Sequence, residues 1–257
     1  MNVYADYAEY YDLLYHDKDY PQEARFVSGL IRQYAPNAKT ILNLGCGTGV
    51  HDVALAGLGY DVLGADLSPQ MIACAERRRA GQPPEIQARL SFTVGDARRL
   101  AAGRSFDAVT SLFHVICYQT TDADLADMLA TARRHLAPGA PFVFDFWHGP
   151  ALADEGPHPH REKTAESAEL KIHRIARSDW HPNEDKVTVN YDVAITRKAS
   201  GEVVRLEEHH YLRYLFIPKL ETLLQSAGFA VAQWGEWLTG APPKADSFGV
   251  YAVALAR

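Results

Sequence analysis

The stretch ILNLGCGTGVHD, residues 41–52, constrains the fold more than any other. A short apolar run ends in Gly45, Gly47 and Gly49, and a helical pattern starts near His51. A residue without Cβ lets the backbone approach a ligand closely and tolerates positive φ. Strand, glycine turn and helix in this order form the first unit of a parallel α/β sheet. The loop has no Gly-Lys-Ser/Thr, so it is not a Walker loop. Val50 stands where the dinucleotide fingerprint G-x-G-x-x-G requires its last glycine. Neither of the two common phosphate loops fits, and the ligand stays open at this point.

The rest of the chain extends that unit. Strand-like runs occupy Thr40–Leu44, Asp61–Leu67, Leu90–Gly95, Phe106–Phe113 and Pro141–Trp147. Helical patterns lie between them. One follows Ser68-Pro69, an N-cap with proline at the first helical position. Another spans Asp122–Leu136, places Leu125, Met128, Leu129, Ala132 and Leu136 on one face, and stops at Pro138-Gly139. Alternating strands and helices predict a parallel sheet with right-handed crossovers. After Trp147 the pattern changes. HGPALADEGPHPH reads as a loop. Three long antiparallel strands are expected at Lys171–Trp180, Lys186–Thr196 and Glu202–Leu215, with HPNED and KASG as turns. A helix from Pro218 to about Ala227 ends at Gly228, and strands Phe229–Leu238 and Ser247–Leu255 close the sheet.

The expectation is therefore an α/β, Rossmann-like doubly wound sheet of seven strands with an antiparallel β insertion before the last helix. One domain covers 1–257: an N-terminal lid over 1–37, a ligand-binding core over 38–147, a cap over about 150–216, and a helix and two strands over 217–257. The insertion reads as a substrate cap. A packing or dimerisation element is the alternative, which leaves a homodimer open.

Composition narrows the function. The net charge of −6 disfavours a general nucleic-acid binder. Cys46, Cys74 and Cys117 are odd in number and unclustered, which suits reduced thiols and gives no zinc or disulfide pattern. His158, His160, His209 and His210 have no cysteine or carboxylate at ligand spacing, so no metal is expected. The first 20 residues have no basic start and no apolar run, and no stretch reaches 18 apolar residues. A cytoplasmic protein without membrane contact is expected.

Two acidic residues stand at strand ends beside the glycine loop. Asp66 closes the second run, 17 residues beyond Gly49, where a carboxylate can accept both hydroxyls of a ribose. Gly95-Asp96-Ala97 closes the third. Ligands of open α/β sheets bind beyond the carboxyl ends of the strands, so all three sites converge.

These features carry a resemblance. Over residues 38–147, LNLGCGTG, GADLSPQM and VGDAR are similar to class I S-adenosyl-L-methionine (SAM)-dependent methyltransferases. The resemblance implies SAM as cofactor. Gly45, Cys46, Gly47 and Gly49 would hold its methionine and ribose portion. Asp66 would bind the ribose hydroxyls, with Leu67 and Met71 alongside. Asp96 would accept from the adenine amino group with Ala97 near the ring, and Leu112 and Phe113 would border the cofactor after the fourth strand. Asn43 would make a polar contact where many members have an acid. SAM has no pyrophosphate and carries a positive sulfonium, which makes acidic residues acceptable here. A charge that disappears during transfer leaves the enzyme to act by alignment and exclusion of water.

Outside the core, EYYDLLYHDKDY, SLFHVICYQT and FDFWHGP look like methyltransferases that N-methylate nucleotide-linked deoxyamino sugars. By that resemblance Tyr11 and Tyr15 close over the reactive centre, and Tyr20, Trp147 and His210 contact the acceptor. Tyr4, Tyr7, Tyr10, Tyr11, Tyr15 and Tyr20 would also suit a packed lid. His114 and Tyr118 follow the fourth strand as candidate bases, with Tyr15 facing them; the aminosugar group has a histidine base at the position of Tyr118. A tuned base contributes ~10²–10⁴-fold. Arg161, Lys163, Lys171, Arg174 and Arg177 lie in the insertion, Arg161 and Lys163 just after its loop, and guanidinium forks suit a diphosphate. The partner would be a nucleotide sugar. Two alternatives stand: an O-methyltransferase for a sugar or other small metabolite, and a non-catalytic SAM-binding regulatory protein. A nucleic-acid methyltransferase is disfavoured by charge and by LFHV where an Asn/Asp-Pro-Pro-aromatic motif would stand.

Overall fold

Strands packed in an α/β sheet need apolar side chains on their covered faces, and residues 40–147 supply five such runs, from fully buried segments to a half-exposed edge. In the computed structural model, which describes residues 10–152 and 156–257, they become β1 (Thr40–Leu44), β2 (Asp61–Asp66), β3 (Leu90–Val94), β4 (Ala108–Ser111) and β5 (Pro141–Trp147). All neighbouring pairs among them run parallel. Tyr4 and Tyr7 lie outside the described residues.

Helices α1 (Tyr20–Tyr34), α2 (Val50–Gly57), α3 (Pro69–Ala80) and α4 (Asp122–Arg134) connect and cover the strands. Their starts are chemically marked. Asp19 accepts from the Gln22 amide at 2.8 Å, Ser68 Oγ from Met71 at 3.3 Å and Thr121 Oγ1 from Asp124 at 3.0 Å. Each cap satisfies an amide that the first helical turn cannot. The α4 stripe named above is buried, from Leu125 at 0 % to Leu136 at 4 % exposure.

Four strands follow: β6 (His160–Glu166), β7 (Leu170–His181), β8 (Lys186–Arg197) and β9 (Val203–Arg213) form a separate antiparallel sheet in that order. The sequence predicted three. HREKTAE has one buried residue, Ala165, so it lacks the alternation that marks a strand. Such charge is typical of an edge. Arg161 and Lys163 therefore sit on a strand, and His160, read as loop, begins it. The excursion leaves and returns at one place, because Leu215 donates to Trp147 O at 2.9 Å and Gly149 to Leu215 O at 2.8 Å.

The chain re-enters the main sheet through α5 (Ile217–Ser226), β10 (Phe229–Glu236) and β11 (Gly249–Ala256). The seven strands lie in the order β10-β11-β5-β4-β1-β2-β3, and β11 is antiparallel to both neighbours. One core layer joins Phe142, Phe144, Phe146 and Phe229 to α4 and α5. The opposite layer joins Ile41, Val62, Val143 and Tyr251 to α1 and α2. A third cluster seats Tyr10 and Leu14 against Ala165, Ile172, Val193, Ile195 and Leu206 of the insertion. Residues 10–14 are helical, so the N-terminal segment bridges the insertion and the main sheet. Among the described residues no helix is long and apolar enough to cross a membrane.

Candidate active site

The glycine loop takes its shape from β1 and β2. Gly45 and Cys46 both donate to Ala65 O, at 2.8 and 3.0 Å. Gly45 (φ +79°) and Gly47 (φ +56°) occupy the left-handed region that favours glycine. Their surroundings differ. A Cβ on Gly45 would meet Val115 Cγ2 at 2.7 Å, so the loop is pressed against the turn Val115–Tyr118 that follows β4. A Cβ on Gly47 would meet nothing within 4 Å. The loop is therefore closed below and open above.

Asp66 borders that opening. Its Oδ2 accepts from the Gly47 amide at 2.9 Å and its Oδ1 from Ser68 at 2.9 Å. Burial pushes its carboxyl above the usual range, while these two amides hold it down. Each oxygen keeps a lone pair for another donor. Leu67 beside it is 66 % exposed, an apolar face without a partner. A backbone cradle, a carboxylate and an apolar shelf in sequence fit the ribose and base of SAM. Asp96 stands at the end of β3, bound through both oxygens by Arg98, which also reaches Asp124 at 2.7 Å. That guanidinium holds the Asp96 carboxyl below its usual range. Ala97 is half-buried against the core, and the backbone of Met71 closes the Ser68 cap.

Two expected cofactor contacts lie elsewhere. Asn43 is 1 % exposed, donates to Asp52 Oδ1 at 3.1 Å and accepts from Thr110 at 3.0 Å, so its side chain is committed inside the protein. Strand alternation points it toward α2, where Asp52 is fully buried and pushed up to about 7 by that burial. Leu112 is 2 % exposed within the α1–α2 core layer. The Cys46 side chain is also buried, and burial raises its thiol.

The chain leaves β4 abruptly. Phe113 (φ +65°) and His114 (φ +62°) are consecutive left-handed residues without glycine, an uncommon backbone. The imidazole lies among Phe113, Trp147 and Phe248, and its Nδ1 is 2.8 Å from Oδ2 of Asp145 on β5. Asp145 is 1 % exposed. The sequence reading missed it, although a lone carboxylate in PFVFDFW is the available signal, because charged residues are rarely buried without a partner.

The N-terminal segment covers the other side. Asp12 accepts from Thr48 Oγ1 at 2.7 Å and pairs with Arg78, tying the segment to the glycine loop. Tyr15 packs edge-on against Phe113 (5.3 Å) and beside Tyr11 (4.7 Å). Tyr20 packs edge-on against His51 (4.8 Å), which bonds buried Glu23 at 2.7 Å. Burial alone would raise Glu23, but His51 and Lys18 bring it down to about 2. Burial lowers His51, and Lys18 also pairs with Glu23.

The inner face of the insertion completes the cleft. Arg174 donates to Tyr15 at 3.0 Å and lies over Tyr191 (4.6 Å). His210 Nδ1 bonds Tyr118 OH at 2.9 Å, its Nε2 bonds Glu208 Oε2 at 3.1 Å, and Tyr10 donates to the other Glu208 oxygen. Desolvation, then Tyr191 and Tyr15, raise the Tyr118 phenol above the tyrosine range, although the residue remains half-exposed. Register puts Arg161 opposite Ala176 and Lys163 opposite Arg174, on this inner face. Arg177 does not join them. It pairs with Asp192 and lines a separate depression on the outer face with His173 and Glu207. Strand alternation sends residues three apart to opposite faces, which the sequence reading overlooked. Among the described residues no His, Cys, Asp and Glu group has metal-site geometry.

Known proteins share this fold. A family profile described as a methyltransferase domain matches residues 41–139. The chain is 30 % identical over 244 residues to dTDP-3-amino-3,6-dideoxy-alpha-D-glucopyranose N,N-dimethyltransferase of Streptomyces fradiae, covering 93 % of this chain and 89 % of that one. The crystal structure of Streptomyces venezuelae DesVI superposes with a TM-score of 0.81 at 23 % identity, over 98 % of both chains. The sugar N-methyltransferase KedS8 of Streptoalloteichus gives 0.79 at 26 % identity, over 96 % of this chain and 92 % of that one.

Proposed function

We propose that this chain, which belongs to the SAM-dependent methyltransferases, methylates the amino group of a nucleotide-linked deoxyamino sugar. The observation that carries the reading is the two-sided cleft: a glycine loop with Asp66 on the sheet edge, and a cap whose inner face bears Arg161, Lys163 and Arg174 beside Tyr118 and His210. Relatives named for dTDP-amino sugars support the choice of acceptor.

When bound, SAM supplies a methyl group that leaves with the bonding pair retained on sulfur. The chain's own residues do the rest. Gly47 and Asp66 fix the cofactor's ribose end, and the N-terminal segment with Tyr11 and Tyr15 shuts out water. Arg161 and Lys163 hold the acceptor's diphosphate, since cationic forks and ammonium groups pair well with phosphate oxygens. An amine reaches the site as an ammonium and must lose a proton before it attacks. His114 or Tyr118 takes that proton. The raised phenol keeps Tyr118 neutral at pH 7, so it receives a proton only by passing its own to His210.

Mass spectrometry of methyl transfer tests the reading. A dTDP-3-amino-3,6-dideoxyhexose should gain 14 mass units per methyl on nitrogen, and its 3-hydroxy counterpart none (a methyl replaces one hydrogen, about 14 Da by the balance of substitution). Methylation of the hydroxyl compound at equal rate would favour the O-methyltransferase reading. SAM binding without turnover on any sugar would favour the regulatory one.

A further inference from the structure

We propose that Asp145 is the positioning residue of a histidine–carboxylate dyad, holding His114 with Nδ1 inward and Nε2 toward the cleft to receive the acceptor's proton. This deepens the proposed reaction and rests on it for the identity of the acceptor.

Four observations converge. Asp145 Oδ2 lies at ion-pair distance, 2.8 Å, from His114 Nδ1 and accepts the His114 amide at 3.2 Å, so one oxygen holds the backbone and faces the ring. Asp145 is a 1 % exposed carboxylate within the apolar strand β5, and its Oδ1 has no hydrogen-bond partner among the described residues. Phe113 and His114 hold positive φ in succession, and such outliers cluster where a side chain must be aimed. The turn after His114 is pressed onto the glycine loop through Val115, so His114 is the chain neighbour of the residue that touches the loop.

The Nδ1 contact has ion-pair distance without hydrogen-bond alignment. Catalytic contacts of this kind tighten when substrate binds. Other titratable groups near the pair are Lys18, over the Phe113 ring, Tyr15, against the same ring, and Cys117 and His51, both within electrostatic reach of Asp145. Tyr118 belongs to a different chain of bonds, through His210 to Glu208 on the cap. The step balances simply. The acceptor's N–H bond breaks, the proton joins the Nε2 lone pair, and the freed nitrogen pair forms the bond to methyl. Imidazolium then faces the Asp145 carboxylate, an opposite charge that favours it, and its proton passes to water as product leaves.

The test begins with unsubstituted protein saturated with S-adenosylhomocysteine and needs no acceptor. Nitrogen-15 NMR should find neutral His114 protonated on Nδ1; the Nε2–H tautomer would overturn the dyad. Asp145→Ala should then remove that preference and admit the Nε2–H tautomer, because no acceptor is left beside Nδ1–H. A ring that keeps the proton on Nδ1 in Asp145→Ala would overturn it. With the acceptor, Asp145→Asn should cut kcat on the order of 10–100-fold and leave SAM affinity unchanged. Asp145→Glu should recover part of kcat. His114→Ala and the double variant should be equally slow; additive losses would assign the two residues separate roles. Where nucleotide-linked amines prove inert, the tautomer still reads the dyad, so the two failures are distinguishable.

Discussion

Alanine at Gly45 and at Gly47 should separate the structural from the ligand-binding half of the loop. Both residues have positive φ, so an L side chain costs ~1–2 kcal/mol at either one. At Gly45 the new Cβ also meets Val115 Cγ2 at 2.7 Å and Cγ1 closer still, and overpacking adds ~1–3 kcal/mol. Gly45→Ala is then expected to lose ~2–5 kcal/mol, and Gly47→Ala ~1–2 kcal/mol. At ~2–4 °C per kcal/mol for a chain of this size, Tm falls about 4–20 °C in the first and about 2–8 °C in the second. Calorimetric titration with SAM should reverse the ranking. The Gly47 methyl occupies the open side of the cradle, so Gly47→Ala should weaken binding by at least ~10-fold, or ~1.4 kcal/mol. Scanning calorimetry and the titration together decide the matter. Wild-type SAM affinity in folded Gly47→Ala would refute the placement of the cofactor above that residue.

Asp66→Ala should weaken SAM by ~1–3 kcal/mol through the unpaired ribose hydroxyls, measured by the same titration, and unchanged affinity would remove Asp66 from the cradle. Arg161→Ala and Arg174→Ala should raise the acceptor KM, whereas Arg177→Ala, on the opposite face of the cap, should leave it unchanged in steady-state kinetics. Asp52 has a distinctive pH signature. Its carboxyl is pushed up to about 7 when folded, against ~3.9 when unfolded. The folded state binds more protons between those values, so stability falls as pH rises from about 4 through 7. Asp52→Asn should flatten that part of the Tm profile and gain most above pH 7. An unaltered slope would show that Asp52 ionises normally.

The parts of the site that were legible from the sequence are those whose geometry is local. Gly45 to Gly49, Asp66 and Asp96 follow strand ends in a fixed order, so spacing alone placed them on one sheet edge. The Ser68 cap and the α4 stripe were local as well. What escaped depends on distant register. Tyr118 meets His210 across 92 positions, and Tyr10 meets Glu208 across 198, which no local pattern encodes. Arg174 and Arg177 looked equivalent until β7 was seen to send them to opposite faces. β6 was hidden because a charged edge strand has no apolar alternation. Asp145 was passed over inside an apolar run that reads as core, and Leu112, expected at the cofactor, is core.

The central claim is that the acceptor's amine lies between the sheet edge and the inner face of the cap. A crystal structure with S-adenosylhomocysteine and a dTDP-amino sugar tests it most directly. The sugar nitrogen should lie within ~3.2 Å of His114 Nε2 and the diphosphate against Arg161 and Lys163. A nucleotide sugar seated on the outer face of the cap, or one presenting a hydroxyl to His114 with its amine turned away, would contradict it.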